Sequence, residues 1–337
     1  MSVNATLDVK VIRGESVESH HPVHAVVMNS KGEQLAVYGN ADLMMFPRSA
    51  IKMIQAMLLV ESGAHKKFDL DLRHLALACA SHHGETIHTS LVSEWLTQIG
   101  LSATDLACGA HWPSDEIRAR EMAKLDIQPS KLHNNCSGKH TGFLSVSKTL
   151  GYPTHGYEKY DHPIQVSLRN IFSELSGVNY DKAAWGIDGC SIPTYFVPLK
   201  SMAKALSAFL PNSNQSAARK EAMALLLKAM QTHPELVGGN HDSYCTAIGR
   251  ATKGHVIAKI GAEGVYAAII PELDLVIALK AEDGAFRACE TSVAALVNHF
   301  VSEKKAASDF LIPEKLSSPT QKNWAGEEVG KIKVVIP

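Results

Sequence analysis

A serine stands three residues before a lysine in Pro47-Arg48-Ser49-Ala50-Ile51-Lys52. Positions three apart on a helix share a face, with Cβ atoms roughly 5–6 Å apart. A serine hydroxyl is a poor nucleophile until a base takes its proton. A lysine amine can be that base when burial or a neighbouring cation favours its neutral form. Arg48 and the apolar Ile51, Met53, Ile54, Met57 and Leu58 supply both conditions for Lys52. The spacing equally suits a capped helix with a solvated lysine, so it does not decide alone.

Three further stretches carry reactive types. In Ala78-Cys79-Ala80-Ser81-His82-His83-Gly84-Glu85, small apolar residues lead into a serine that can serve as nucleophile or proton relay. The same pattern fits a helix end with a capping serine and surface histidines. In Ala258-Lys259-Ile260-Gly261-Ala262-Glu263-Gly264, a lysine interrupts an apolar strand. Lysine is rarely buried without a partner. Its alternative is an edge-strand lysine. Gly261 and Gly264 let backbone approach a ligand closely, and Glu263 suits an ammonium group. Asn134-Asn135-Cys136-Ser137-Gly138-Lys139-His140 and Ile187-Asp188-Gly189-Cys190-Ser191 put two cysteines in polar, glycine-containing loops. These are candidate soft ligands for Zn²⁺, with Lys139, His140 or Asp188 able to complete a site. They equally fit two distant buried thiols or a labile disulfide. Gly138-Lys139-His140-Thr141 resembles the end of a phosphate loop, but the glycine required near Leu132 is missing. His111-Trp112-Pro113 and His241-Asp242 read as structural, while Gly238-Gly239-Asn240-His241 can line a site.

The elements that must position these groups follow from patterning. Val23–Met28 and Gln34–Tyr38 form a hairpin around Asn29-Ser30-Lys31-Gly32. A helix from Ser49 ends near Gly63. Helices follow at Leu72–Ala80, Thr86–Ile99, Asp115–Leu125, Lys139–Leu150, His162–Leu175, Pro198–Phe209 and Gln215–Thr232. Strands return at Val256–Ile260, Val265–Ile270 and Leu275–Lys280, before a closing helix at Arg287–Val301. The tail from Ser302 is charged, with no apolar periodicity until Ile332–Ile336. Strands at both ends and helices between predict an α+β fold.

Composition sets the outer bounds. The chain has 337 residues, 45% hydrophobic and 20% charged, with Lys plus Arg 33 against Asp plus Glu 34. No net field favours nucleic acid or an acidic membrane surface. No apolar run reaches the roughly 20 residues of a membrane span. Met1–Lys10 is polar and mixed, without a signal-peptide pattern, so a cytoplasmic location is expected. Six cysteines spread over this length do not make a disulfide framework.

Taken together, Pro47–Lys52, Ala80–Glu85, His133–His140, Gly186–Ser191 and Lys259–Gly264 resemble the Rhizobium-type, or class 3, L-asparaginases of the asparaginase II family. The segments stand in the family's order, and a looser likeness runs from about Val9 to Val301. The resemblance implies a fold similar to serine β-lactamases and penicillin-binding proteins: an antiparallel sheet from both chain ends, flanked by helices, plus a helical lobe. It implies one catalytic domain, with a sheet subdomain over about 9–60 and 240–301 and a lobe over about 64–235. It also implies two Ser-Lys tandems, Ser49 with Lys52 and Ser81 with Lys259, and zinc on Cys136, Lys139 and Cys190. The implied substrate is L-asparagine and the implied assembly a homodimer. Arg48, His82, Asn134 and Glu263 are the candidate substrate contacts, Arg48 and Glu263 by charge match to the α-carboxylate and α-ammonium. Two thiolates neutralise most of the charge of zinc, so its expected role is supporting. Where the penicillin-recognising enzymes carry Lys-Thr-Gly, this chain has Lys259-Ile260-Gly261, and no equivalent of their Ser-x-Asn motif is found. A serine-type glutaminase, another amidohydrolase on the same fold, and a non-catalytic zinc- or amino-acid-binding protein remain as alternatives.

Overall fold

The computed structural model describes residues 2–3 and 5–337, so Met1 and Asn4 of the polar N-terminal stretch lie outside the described residues. The chain forms two compact units. Residues 1–51, 196–214 and 247–337 make a sheet unit, and residues 52–195 and 215–246 make a helical unit.

The sheet unit is built on a nine-stranded sheet. Its long strand, Ser16–Met28, pairs with Leu7–Arg13 along its first half and with Gln34–Tyr38 along its second. Leu275–Ala281 pairs along its other edge, followed by Val265–Ile270 and Ile257–Gly261. These pairings are antiparallel; only Ser2–Val3 runs parallel to its partner, Gln34–Tyr38. Val265–Ile270 is buried along its whole length. A strand with no alternation is covered on both faces. The Leu199–Ser207 and Phe286–Glu303 helices provide the cover, each packing on the central strands.

Three strands of this sheet escape the hydrophobic pattern that found its central ones. Leu7–Arg13 lies partly in the stretch expected to be polar, yet Leu7, Val9 and Val11 are buried in strict alternation. Thr320–Lys322 and Glu328–Val335 extend the sheet edge beyond Leu7–Arg13. Of the last strand only Ile332 is buried, so its apolar signal is a single residue. The first long helix also sits differently. The expected sheet subdomain runs to about residue 60, whereas the sheet unit stops at Ile51 and Lys52–Glu61 belongs to the helical unit.

In the helical unit, Ser137–Leu150 packs against the Lys52–Glu61, Leu72–Ala78 and Thr86–Gln98 helices. Its residues 137–147 are all buried although many are polar. The hydroxyls of Thr141, Ser145 and Thr149 donate to the carbonyls of Ser137, Thr141 and Ser145, each at 2.9 Å. Such back-bonding satisfies the hydroxyls within the helix. No helix among the described residues is long and apolar enough to cross a membrane.

Candidate active site

In the sheet unit, Ser49 sits half-buried in a 3-10 turn, Arg48–Ile51, that runs straight into the Lys52–Glu61 helix. Arg48 holds a left-handed conformation, φ 49°. Non-glycine residues adopt it at a cost, and such strain gathers at functional sites. The turn rests on the end of the Ile257–Gly261 strand. A Cβ on Gly261 would lie 2.9 Å from the Pro47 carbonyl oxygen and 3.2 Å from the Ala50 nitrogen, so only glycine admits the serine turn this closely. Two residues earlier on that strand stands Lys259, 1% exposed, whose ammonium donates to the Ile260 carbonyl at 2.7 Å. Glu263 follows on an exposed turn with φ 59°. This unit therefore gathers Arg48, Ser49, Lys259 and Glu263.

In the helical unit, Lys52 is 1% exposed. Its ammonium donates to Ser81 Oγ at 3.0 Å, to Cys136 Sγ at 3.1 Å and to the Ala80 carbonyl. The expected partner of Lys52 is Ser49; the contact with Ser81 is one that sequence spacing could not supply. The Ser81 amide donates to the Val237 carbonyl at 3.0 Å, which brings the Gly238–His241 stretch alongside. Glu85 secures that stretch, accepting from the backbone and side-chain nitrogens of Asn240 at 2.6 and 2.9 Å. Sequence reasoning missed this role of Glu85, because its partner Asn240 lies 155 positions away.

Two expected substrate contacts make hydrogen bonds within the protein. His82 is fully buried. Its Nδ1 accepts from the Gly84 amide at 3.2 Å and its Nε2 donates to Ser137 Oγ at 2.8 Å. Burial, with His88 stacked at 4.7 Å and Lys52 nearby, holds its pKa well below the usual histidine value. Asn134 donates from Nδ2 to the Gly109 carbonyl at 2.7 Å and accepts from the Cys136 amide at 2.9 Å. Both residues brace the loops beside Ser81 and Cys136.

The two cysteines of the sequence argument do meet. Cys190 is carried by a tight turn in which the Asp188 amide donates to Ile192 O, and the Ser191 amide to Asp188 O, each at 2.8 Å. Cys136 hydrogen-bonds to Cys190, and Lys139 Nζ donates to Cys190 Sγ at 3.0 Å. The hydrogen bond from Cys136, then the Lys139 cation, hold the Cys190 thiol well below its ordinary pKa. That same hydrogen bond and burial push Cys136 up to about 12. Burial alone would lower Lys139, but the sulfurs of Cys136 and Cys190 and the Asp188 carboxylate outweigh it and raise its pKa. His140, held at about 3 chiefly by burial, shares a 2.8 Å hydrogen bond with the Tyr157 hydroxyl through Nδ1. Among the described residues no cluster of three or more His, Cys, Asp or Glu is arranged for a metal; the group here is two cysteines and a lysine. A continuous string results, from the half-buried Ser81 through the buried Lys52, Cys136, Cys190 and Lys139.

Comparison with known proteins gives three findings. A family model described as L-asparaginase II matches residues 9–334. No curated protein matches. Among solved structures, a β-lactamase from Mycobacterium bovis is 14% identical with TM-score 0.40, covering 78% of this chain and 88% of that one. D-alanine carboxypeptidase AmpC from Burkholderia cenocepacia is 11% identical with TM-score 0.38 over the same shares.

Proposed function

The chain belongs to the L-asparaginase II family, and from that membership we propose that it hydrolyses the side-chain amide of L-asparagine through an ester on Ser49. The Lys52 amine takes the Ser49 proton, and Oγ attacks the amide carbon. Backbone N–H groups at the start of the Lys52–Glu61 helix are candidates to stabilise the oxyanion. The C–N bond breaks, the departing nitrogen takes a proton, and ammonia leaves. Water then attacks the β-aspartyl ester, releasing aspartate and restoring the serine. Ser81 relays the proton, with Lys259 as the second lysine of the pair. Arg48 and Glu263 hold the α-carboxylate and α-ammonium.

The observation that supports this reading is the buried Lys52, whose Nζ lies 3.0 Å from Oγ of Ser81 and so ties the proposed base to the proposed relay serine. A lysine sunk among serine and thiol partners, rather than paired to a carboxylate, is what Ser-Lys proton transfer requires. Zinc is part of the proposal, on Cys136, Lys139 and Cys190. The donors suit it: the Cys190 thiol is held below its ordinary pKa, a second sulfur adjoins it, and Lys139 Nζ is 3.0 Å from Cys190 Sγ. Coordination requires Lys139 to give up its proton. When bound, zinc supplies Lewis acidity largely muted by two sulfurs, so its work is to tie the Cys190 turn to the Ser137–Leu150 helix. A homodimer in the cytoplasm completes the proposal by family analogy.

Trapping the acyl-enzyme with asparagine and mapping it by mass spectrometry tests the assignment. The label is expected on Ser49, and Ser49→Ala should lower turnover by about 10³-fold or more. A label on Ser81 with none on Ser49 would reverse the roles.

A further inference from the structure

We propose that Lys280 is a positioning residue: it fixes the turn that carries Glu263 and, through Gly261, the flanks of Ser49. The inference rests on the reading of Ser49 and Glu263 as site residues. Glu263 and Gly264 take consecutive left-handed conformations, φ 59° and 66°. Glycine does so freely, but a glutamate must be held there. Lys280 faces the turn from the neighbouring strand, directly across from Val265. Its ammonium donates to the Glu263 carbonyl at 2.7 Å and to the Ala281 carbonyl. The Ala281 amide in turn donates to the Gly264 carbonyl at 2.9 Å.

Besides Glu263 itself, the nearby acids Glu282 and Asp283 do not draw the ammonium away. Glu282 is engaged by His24 Nε2 at 2.7 Å, and Asp283 by His21 Nδ1 at 2.5 Å. Arg287 donates to the other nitrogen of His21 at 3.0 Å and so fixes that ring. With both carboxylates occupied, the hydrogen bonds of Lys280 go to backbone carbonyls.

The turn leaves no room to adapt. A Cβ on Gly264 would come within 2.9 Å of the Ala281 Cβ and of the Gly284 backbone, and one on Gly284 within 2.9 Å of Glu263 Oε2. At its other end the turn begins at Gly261, against Pro47 and Ala50 on either side of Ser49. Releasing the Glu263 carbonyl therefore loosens both the carboxylate and the support of the serine turn.

The test compares Lys280→Met, which keeps the apolar stem, with Lys280→Arg, which keeps a donor. Lys280→Met is expected to speed amide exchange across residues 262–265 by about tenfold or more. It should also raise KM for asparagine about tenfold, with kcat less affected. Lys280→Arg should restore most of both. Unchanged exchange in Lys280→Met overturns the proposal, and so does an unchanged KM there where Glu263→Gln raises KM. If Lys280→Met does not fold, Lys280→Gln, too short to reach the Glu263 carbonyl, reads the same two quantities. Glu263→Gln separates the premises: an unchanged KM there removes Glu263 as the ammonium clamp, while exchange in Lys280→Met still judges the positioning.

Discussion

Lys52 shows how a single side chain can be placed by its burial. Fully enclosed, its ammonium has three acceptors: a carbonyl, a hydroxyl and a sulfur. None of these three is a carboxylate. The sulfur belongs to the thiol pair, so the candidate zinc ligands and the candidate base share a hydrogen bond. Removing zinc from the holoenzyme should therefore weaken asparagine binding while leaving measurable turnover. Chelation followed by steady-state kinetics checks this, and complete loss of turnover with binding intact would contradict a supporting role. The types of His82 and Asn134 suit substrate contacts, and each polar atom of the His82 ring and of the Asn134 amide group also makes a hydrogen bond within the protein.

At the scale of elements, close approach of backbones does much of the positioning. A Cβ on Gly138 would lie 2.3 Å from the Leu77 carbonyl oxygen and 2.6 Å from Leu77 Cγ, distances no real Cβ keeps. Gly138→Ala should force the Ser137–Leu150 and Leu72–Ala78 helices apart, costing about 1–3 kcal/mol or more by analogy with overpacked cores. Urea unfolding measures this, and a midpoint equal to the parent's would mean that the helices part freely. The Phe286–Glu303 helix holds a different cost. Burial alone raises the Glu290 carboxyl from 4.5 to about 7. The folded protein thus binds this proton more tightly than the unfolded chain, and stability falls as pH rises through that window. Glu290→Gln should match the parent below pH 4.5 and exceed it at pH 8 by on the order of 1–3 kcal/mol. Equal stabilities at pH 8 would show that Glu290 ionises there without penalty.

At the scale of the whole molecule, the chain crosses from one unit to the other between Ile51 and Lys52, inside the Ser-x-x-Lys motif itself. Ser49 belongs to the sheet unit and Lys52 to the helical unit, joined by one turn of chain. Substrate choice belongs at this scale. Asparagine should release ammonia faster than glutamine, though one methylene discriminates by only about 10–200-fold. A coupled ammonia assay with both substrates decides it, and a preference for glutamine would replace the proposed activity. The proposed homodimer should sediment at twice the chain mass at micromolar concentration; a monomer there would remove it.

By itself the sequence determined most elements and every reactive residue type, because both are written locally. Apolar periodicity found the Val265–Ile270 strand with its boundaries intact, and most helices to within two residues. It found less where burial was slight, as in Glu328–Val335, since a half-exposed edge strand leaves little hydrophobic signal. The tertiary structure decided which groups meet. Lys52 and Ser81 are 29 positions apart and Lys139 and Cys190 are 51, and no local pattern encodes such a distance. Those contacts arise because the Lys52–Glu61, Leu72–Ala78 and Ser137–Leu150 helices pack together at glycine-permitted range and bury polar groups that must then find one another.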